Sequence, residues 1–334
     1  MAYVAPLSSV LNAATVRIFA HLSEQTQRSP WFALLLGALL YLLCLVILVP
    51  MAVVVVAVGF DLDFESVQRI LGGEVSVGTV DTWVFRLIQS SNQLLTWGVV
   101  GLLLGHLLGG MRPQLGLHAP YRRDTQQVQL ALAALMMTAA IPLVQWLQID
   151  PDTFSLPKSL KSVEQWMRQQ EDIGQRALLA ILTTESLWVL LANLVAFAAV
   201  PAFCEEVFFR GYLQRQLTRL LPAWAAIVAG GIIFSFIHFQ FYGFFARAAL
   251  GMLLGWLLHQ SGSLWPSVIG HFTFNGLSIV MAYLAATNPE VDPSLADQSY
   301  TFNWPVVLLS LAVVGALSLV FARLSQHRGL SSSS

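Results

Sequence analysis

The chain has 334 residues, 56% of them hydrophobic and only 10% Asp, Glu, Lys or Arg, against roughly 25% charged in an ordinary soluble domain. A soluble fold could not keep so many apolar groups from water, and ionised side chains are costly at bilayer depth, so the shortage of charge marks a membrane protein. The formal net charge of −1 gives no reason to expect a nucleic-acid partner, because phosphate binding needs a clustered basic surface.

The first segment carries Glu24 and Arg28 and leads into an apolar stretch far longer than a signal-peptide core. It reads as a retained spanning helix rather than a cleaved address. A span needs about 20 apolar residues, and eight candidates follow in order, near 32–60, 92–110, 127–147, 180–204, 223–241, 244–259, 265–287 and 304–323. The expected fold is therefore all-α, a polytopic bundle of about eight transmembrane helices. Basic residues cluster in alternate connections: Arg17 and Arg28, then Arg112, Arg122 and Arg123, then Arg215 and Arg219, then Arg323 and Arg328. Acidic residues such as Asp61, Glu65, Asp81, Glu290 and Asp297 occupy the others. That alternation predicts both termini in the cytoplasm.

One external connection, 148–179, differs from the rest. Val163, Trp166, Met167 and Ile173 are spaced among Glu164, Arg168, Glu171 and Asp172. Such spacing predicts an amphipathic surface helix, lying either on the membrane or on its own protein. Gly101, Gly105 and Gly109, and separately Gly251 and Gly255, recur at four-residue spacing, which lets helices approach closely within the bundle. The organisation expected is three amino-terminal membrane helices with the amphipathic segment over 1–179, a helical core over 180–287, and a last membrane helix with a disordered serine tail over 288–334.

Polar residues inside apolar runs are the informative ones. They form three clusters: Glu205, Glu206 and Arg210 at the end of the fourth span, His238 on the fifth, and His271 with Asn275 on the seventh. Two adjacent carboxylates point about 100° apart on a helix, so they should do different jobs. Glu206 and Arg210, four apart, can pair and lower the cost of burying both. Glu205 is then left to face a cavity, where it can take a proton from water. The imidazoles can position that water or bind a metal, and Asn or His can donate to a developing oxyanion. If the chain turns at Leu221-Pro222, Glu205 lies 16 residues before the turn and His238 17 after it. Both then sit roughly 25 Å from the turn and are level with each other.

The strings EEVFFR, FSFIH and HFTFN, in that order, resemble the CPBP family, also called Abi, with its motifs EExxxR, FxxxH and HxxxN. The resemblance covers roughly 180–287 and includes GSLWPSVIGH ahead of the seventh span, which is similar to bacterial members. That family contains CAAX prenyl endopeptidases and bacteriocin-processing proteases. The resemblance implies that Glu205 activates the attacking water with His238, that His271 and Asn275 stabilise the tetrahedral oxyanion, and that Glu206 and Arg210 hold the site together. It implies an integral protein of a bacterial cytoplasmic membrane that acts on a peptide or lipidated-protein substrate among membrane lipids. Both a divalent metal such as zinc, held by His238 and His271, and a metal-independent glutamate mechanism are compatible with it. There is no HExxH, so spacing does not read as a zinc site.

Competing readings attach to the same residues. A non-catalytic relative acting in bacteriocin immunity or as a membrane partner would use them as a structural polar network. A bis-histidine haem site would use His238 and His271, whereas a transporter should show repeated halves with broken helices, which the hydropathy lacks. His106, alone among leucines, reads as a core histidine, His259 and Arg247 as helix-end residues reaching for the interface, and Glu185 as a helix start. Cys44 and Cys204 are the only cysteines, and Cys204 beside two acids is a poor thiolate. Neither a disulfide framework nor a cysteine metal site is expected.

Overall fold

Apolar side chains form the outside of this protein and polar ones part of its inside. In the computed structural model, which describes residues 7–76, 79–118, 123–150, 153–182, 184, 186–291 and 302–326, Leu35 and Val55 are 71% exposed and Trp188 80%. Glu206 and Asn193 are fully buried, and Arg210 is 2% exposed. An exterior of that kind is stable against lipid, and the chain is an integral membrane protein.

Twelve helices and no strand are present among the described residues. They are α1 (Leu7–Arg28), α2 (Pro30–Gly59), α3 (Phe64–Leu71), α4 (80–107), α5 (Met111–Leu115) and α6 (Thr125–Trp146). After these come α7 (Lys161–Leu182), α8 (Leu187–Leu217), α9 (Ala223–Phe236), α10 (Phe244–Ser261), α11 (Trp265–Thr287) and α12 (Trp304–Gln326). Five of them, α2, α6, α8, α11 and α12, are long and apolar enough to cross a membrane by length and composition.

The other three expected spans are present as helices but fall short of that measure. With 14 residues, α9 spans only about 21 Å. Along α4 stand Asp81, Arg86, Gln89 and Gln93, and α10 contains Arg247, His259 and Gln260. Gln89, Gln93 and Arg247 line an interior cavity and Arg86 is buried, so hydropathy counts interior polar positions against these two helices, while His259 is exposed near the end of α10.

Helices α2 and α8 continue through internal prolines, Pro50 and Pro201. A helical proline loses its N–H and clashes with the carbonyl four residues back. In both helices a π-helical turn, Cys44–Leu48 or Leu194–Ala199, precedes it and widens the backbone there. One packed core joins α2, α4 and α8 around Trp97, Phe208, Phe209 and Tyr212, with the Tyr212 hydroxyl donating to the Ala33 carbonyl. A second joins α6, α10 and α12 around Met136, Met137, Leu254 and Phe321.

Four of the five glycines at four-residue spacing sit at helix contacts, Gly101 and Gly255 against α8, Gly105 against α5 and Gly251 against α9, while Gly109 is exposed in the turn after α4. A Cβ on Gly101 would lie 2.8 Å from Val207 Cγ1, and one on Gly251 3.0 Å from the Gly231 Cα. The amphipathic segment forms α7, which packs on protein: Ile181 is 1% exposed, and the Trp166 ring meets Phe239 edge-on and Phe241 at a tilt. His106 is not in the core as expected but exposed on α4, because Gly101, Leu104 and Gly105 take that helix's inward positions. Glu185 and the tail 331–334 lie outside the described residues.

Candidate active site

Three helices bring the polar clusters to one place. Glu205 and Glu206 end the α-helical turn of α8 that Pro201 opens, and Arg210 follows within a π-helical segment, Val207–Gln214. His238 lies just past the end of α9, where the backbone stops being helical because Phe239 adopts a left-handed φ of 53°. His271 and Asn275 lie one turn apart on α11, which has Pro266 in its first turn, where the missing N–H would be unpaired anyway. Leu217 and Pro222 bound the turn between α8 and α9, so Glu205 and His238 stand level.

The two carboxylates have separate surroundings. Glu206 is fully buried, and its Oε1 accepts from Arg210 Nη1 at 2.8 Å and from His271 Nδ1 at 2.8 Å. Arg210 also donates through Nη2 to the Gly251 carbonyl at 3.1 Å and lies 4.4 Å over the Phe234 ring. This is a held ion pair rather than a reactive group. Glu205, 4% exposed, meets no cation that strongly. Its Oε1 accepts from Gln93 Nε2 at 3.0 Å, and its Oε2 faces His238 Nε2 at 4.0 Å and His271 Nε2 at 3.9 Å.

The hydrogen bonds on the far side of each ring determine what faces Glu205. His238 Nδ1 donates to the Phe234 carbonyl at 2.7 Å, and His271 Nδ1 donates to Glu206. A carbonyl and a carboxylate only accept, so both Nδ1 atoms carry hydrogen. Each neutral ring then turns a bare Nε2 lone pair toward Glu205 Oε2. Three acceptors share one small space without a donor among them, which is the arrangement that draws in a water molecule. All three line a cavity of about 530 Å³, together with Asn275 and Gln93. Asn275 spends one amide hydrogen on the Phe197 carbonyl at 3.3 Å and keeps the other.

Residues 185–277 match the family model described as type II CAAX prenyl endopeptidase Rce1-like. They form an Rce1-like domain. The match is consistent with a CPBP family protease and supports a protease at the family level. No curated protein and no solved structure matches the chain.

The Rce1-like segment therefore contains every residue that the three motifs single out, and the structure brings Glu205, Glu206, Arg210, His238 and His271 into one network. The donor set is wider than a zinc cage. Ligands about 2.1 Å from a tetrahedral metal stand about 3.4 Å apart, whereas Glu205 Oε2 is 4.0 and 3.9 Å from the two imidazoles. Among the described residues no group of three or more His, Cys, Asp or Glu is gathered to hold a metal ion.

One neighbour of the site differs from expectation, and one was not anticipated. Arg247 does not reach for the interface: it lines the cavity, donates to Gln240 Oε1 at 2.8 Å and also to the Gln240 carbonyl. Cys204 is buried, with its Sγ against Gly98. Sequence reading missed Gln93. The signal available was the polar run Gln89 to Gln93 directly ahead of an apolar stretch on α4. From α7, Glu171 and Ile181 complete the cavity wall, and burial pushes the Glu171 carboxyl up, against the pull of Arg247 and the Tyr242 amide.

Proposed function

We propose that the chain is an intramembrane endopeptidase that hydrolyses a peptide bond in a membrane-associated or lipid-modified peptide or protein. Glu205, with His238, takes a proton from a water held at the three converging acceptors, and the resulting hydroxide attacks the scissile carbonyl. Asn275 donates its free amide hydrogen to the developing oxyanion. The proton taken from water passes from Glu205 to His271 Nε2, which then donates to the oxyanion while Nδ1 stays on Glu206; as the intermediate collapses the C–N bond breaks and that proton passes to the leaving amine. Glu206 and Arg210 hold the His271 ring in place. The single observation that carries this reading is Glu205 Oε2 opposite two Nε2 atoms, 4.0 and 3.9 Å away, at the wall of a cavity of about 530 Å³.

The two carboxylates support it by contrast: one is paired with Arg210, while the other meets the uncharged Gln93 amide on the cavity side. The charge alternation of the loops favours cytoplasmic termini, and the GSLWPSVIGH string favours a bacterial cytoplasmic membrane. The deciding experiment compares, by mass spectrometry, peptides released from a membrane-protein preparation by wild type and by Glu205→Gln in proteoliposomes. Peptides released only by wild type are expected; identical release from both ends the proposal. Repeating the wild-type reaction with a chelator tests the requirement for a divalent metal such as zinc.

A further inference from the structure

Gln93 lies on α4, outside the segment 185–277 that the family model matches, yet its Nε2 donates a short hydrogen bond to the Glu205 carboxylate, at 3.0 Å. Its position there is built into the packing. Five residues on, Gly98 faces Cys204, where a Cβ would lie 2.9 Å from the sulfur, and Gly101 faces Val207 and the Phe208 backbone. These glycines let α4 and α8 approach closely just beyond the site. A π-helical turn, Leu94–Val99, begins immediately after Gln93.

The chemistry of that contact is specific. A carboxylate beside two imidazoles can rotate, and each orientation offers water a different oxygen. One donor on Oε1 holds Oε2 toward His238 and His271. Because a carboxamide carries no charge, it orients the carboxylate without cancelling it, as Arg210 does for Glu206. The remaining end of the side chain, Gln93 Oε1, is buried with no partner among the described residues, so there the contact to Glu205 is what orients the amide.

We infer that Gln93 is a positioning residue for this reaction, holding Glu205 with Oε2 on the water site; the inference rests on the proposed hydrolytic role of Glu205. Its test uses the full chain in proteoliposomes and the peptide that wild type releases fastest from a membrane-protein preparation. Gln93→Met keeps length and bulk but has no N–H. Its kcat is expected to fall about 10- to 100-fold through misplacement of the base, with KM within about twofold of wild type. Unchanged kcat would overturn the inference, as would a rise in KM that accounts for the whole loss of kcat/KM.

Gln93→Leu serves if the methionine variant fails to insert. It is apolar and of similar bulk, has no donor to offer Glu205, and is expected to lose kcat as strongly. Wild-type kcat in this variant likewise overturns the inference. Failure of the underlying reading is visible separately, because Glu205→Gln would then cleave like wild type whatever Gln93 does.

Discussion

The Glu206 carboxylate holds the His271 ring: Nδ1 donates to Oε1 at 2.8 Å, and the same oxygen accepts from Arg210 Nη1 at 2.8 Å. One atom therefore fixes the tautomer of a site histidine and compensates a buried guanidinium. Glu205, one residue earlier, is tied to neither task. Neighbouring carboxylates with such different surroundings take different roles.

That division predicts opposite stability effects from the same chemical change. Glu206→Gln leaves Arg210 buried without a counter-charge, and breaking a buried pair from one side costs about 3–5 kcal/mol. Glu205→Gln removes no ion pair and should shift stability by less than about 1 kcal/mol. Thermal unfolding in detergent micelles reads both. The double variant Glu206→Leu with Arg210→Met should recover most of the lost stability, because hydrophobic replacements of both partners are tolerated. It should stay inactive, since His271 then lacks its anchor.

Close helix approach gives a second prediction. A Cβ on Gly101 would stand 2.8 Å from Val207 Cγ1 and 3.2 Å from the Phe208 amide nitrogen. Backbone cannot swing aside as a side-chain tip can, so Gly101→Ala should cost about 1–3 kcal/mol by overpacking. Gly315, on α12, has nothing within 4 Å of a built Cβ. There alanine should be neutral or stabilise by about 0.5–1 kcal/mol, because a helical glycine carries an entropic penalty. Equal effects at the two positions would remove the close approach as an explanation.

The all-helical class, the limits of α2, α6, α11 and α12 and the grouping of the polar clusters were legible in the sequence, because hydropathy and helical spacing act locally; α8 runs over Leu187–Leu217 rather than the expected 180–204, since its end carries the polar cluster past the apolar run. The four-residue separation of Glu206 and Arg210 is itself enough to bring those two side chains together on one helix. Gln93 was not legible: it stands 112 residues from Glu205, and nothing in a local run of Gln, Ser and Asn says which helix it will face. The exposure of His106 escaped for the same reason, since a lone histidine among leucines fits either face until the glycines beside it are seen to take the inward side. Two of the weaker spans, α4 and α10, show the limit of hydropathy, because a helix that carries polar side chains toward a cavity gives up the apolar residues by which spans are counted, whereas α9 is apolar and falls short only in its 14 residues.

The helix that covers the cavity offers a prediction in pH. Glu164, in the first turn of α7, accepts from the Leu156 amide through Oε2 at 2.9 Å and from Arg168 through Oε1 at 3.0 Å. Arg168 in turn donates to the Phe154 carbonyl at 3.0 Å, closing a latch between α7 and the segment before it. The Leu156 N–H first, and then Arg168, hold the Glu164 carboxyl below its usual range. A carboxyl depressed in the folded state contributes stability above its unfolded value, near 4.3, and loses it as pH falls through the lower folded value. The wild-type latch should therefore hold at neutral pH and loosen in acid, seen as faster proteolysis across 153–160 below about pH 4. Glu164→Gln should show that faster proteolysis already at neutral pH and little further change on acidification. A wild-type pattern in the variant, sensitive to acid and protected at neutral pH, would show that another group sets the latch.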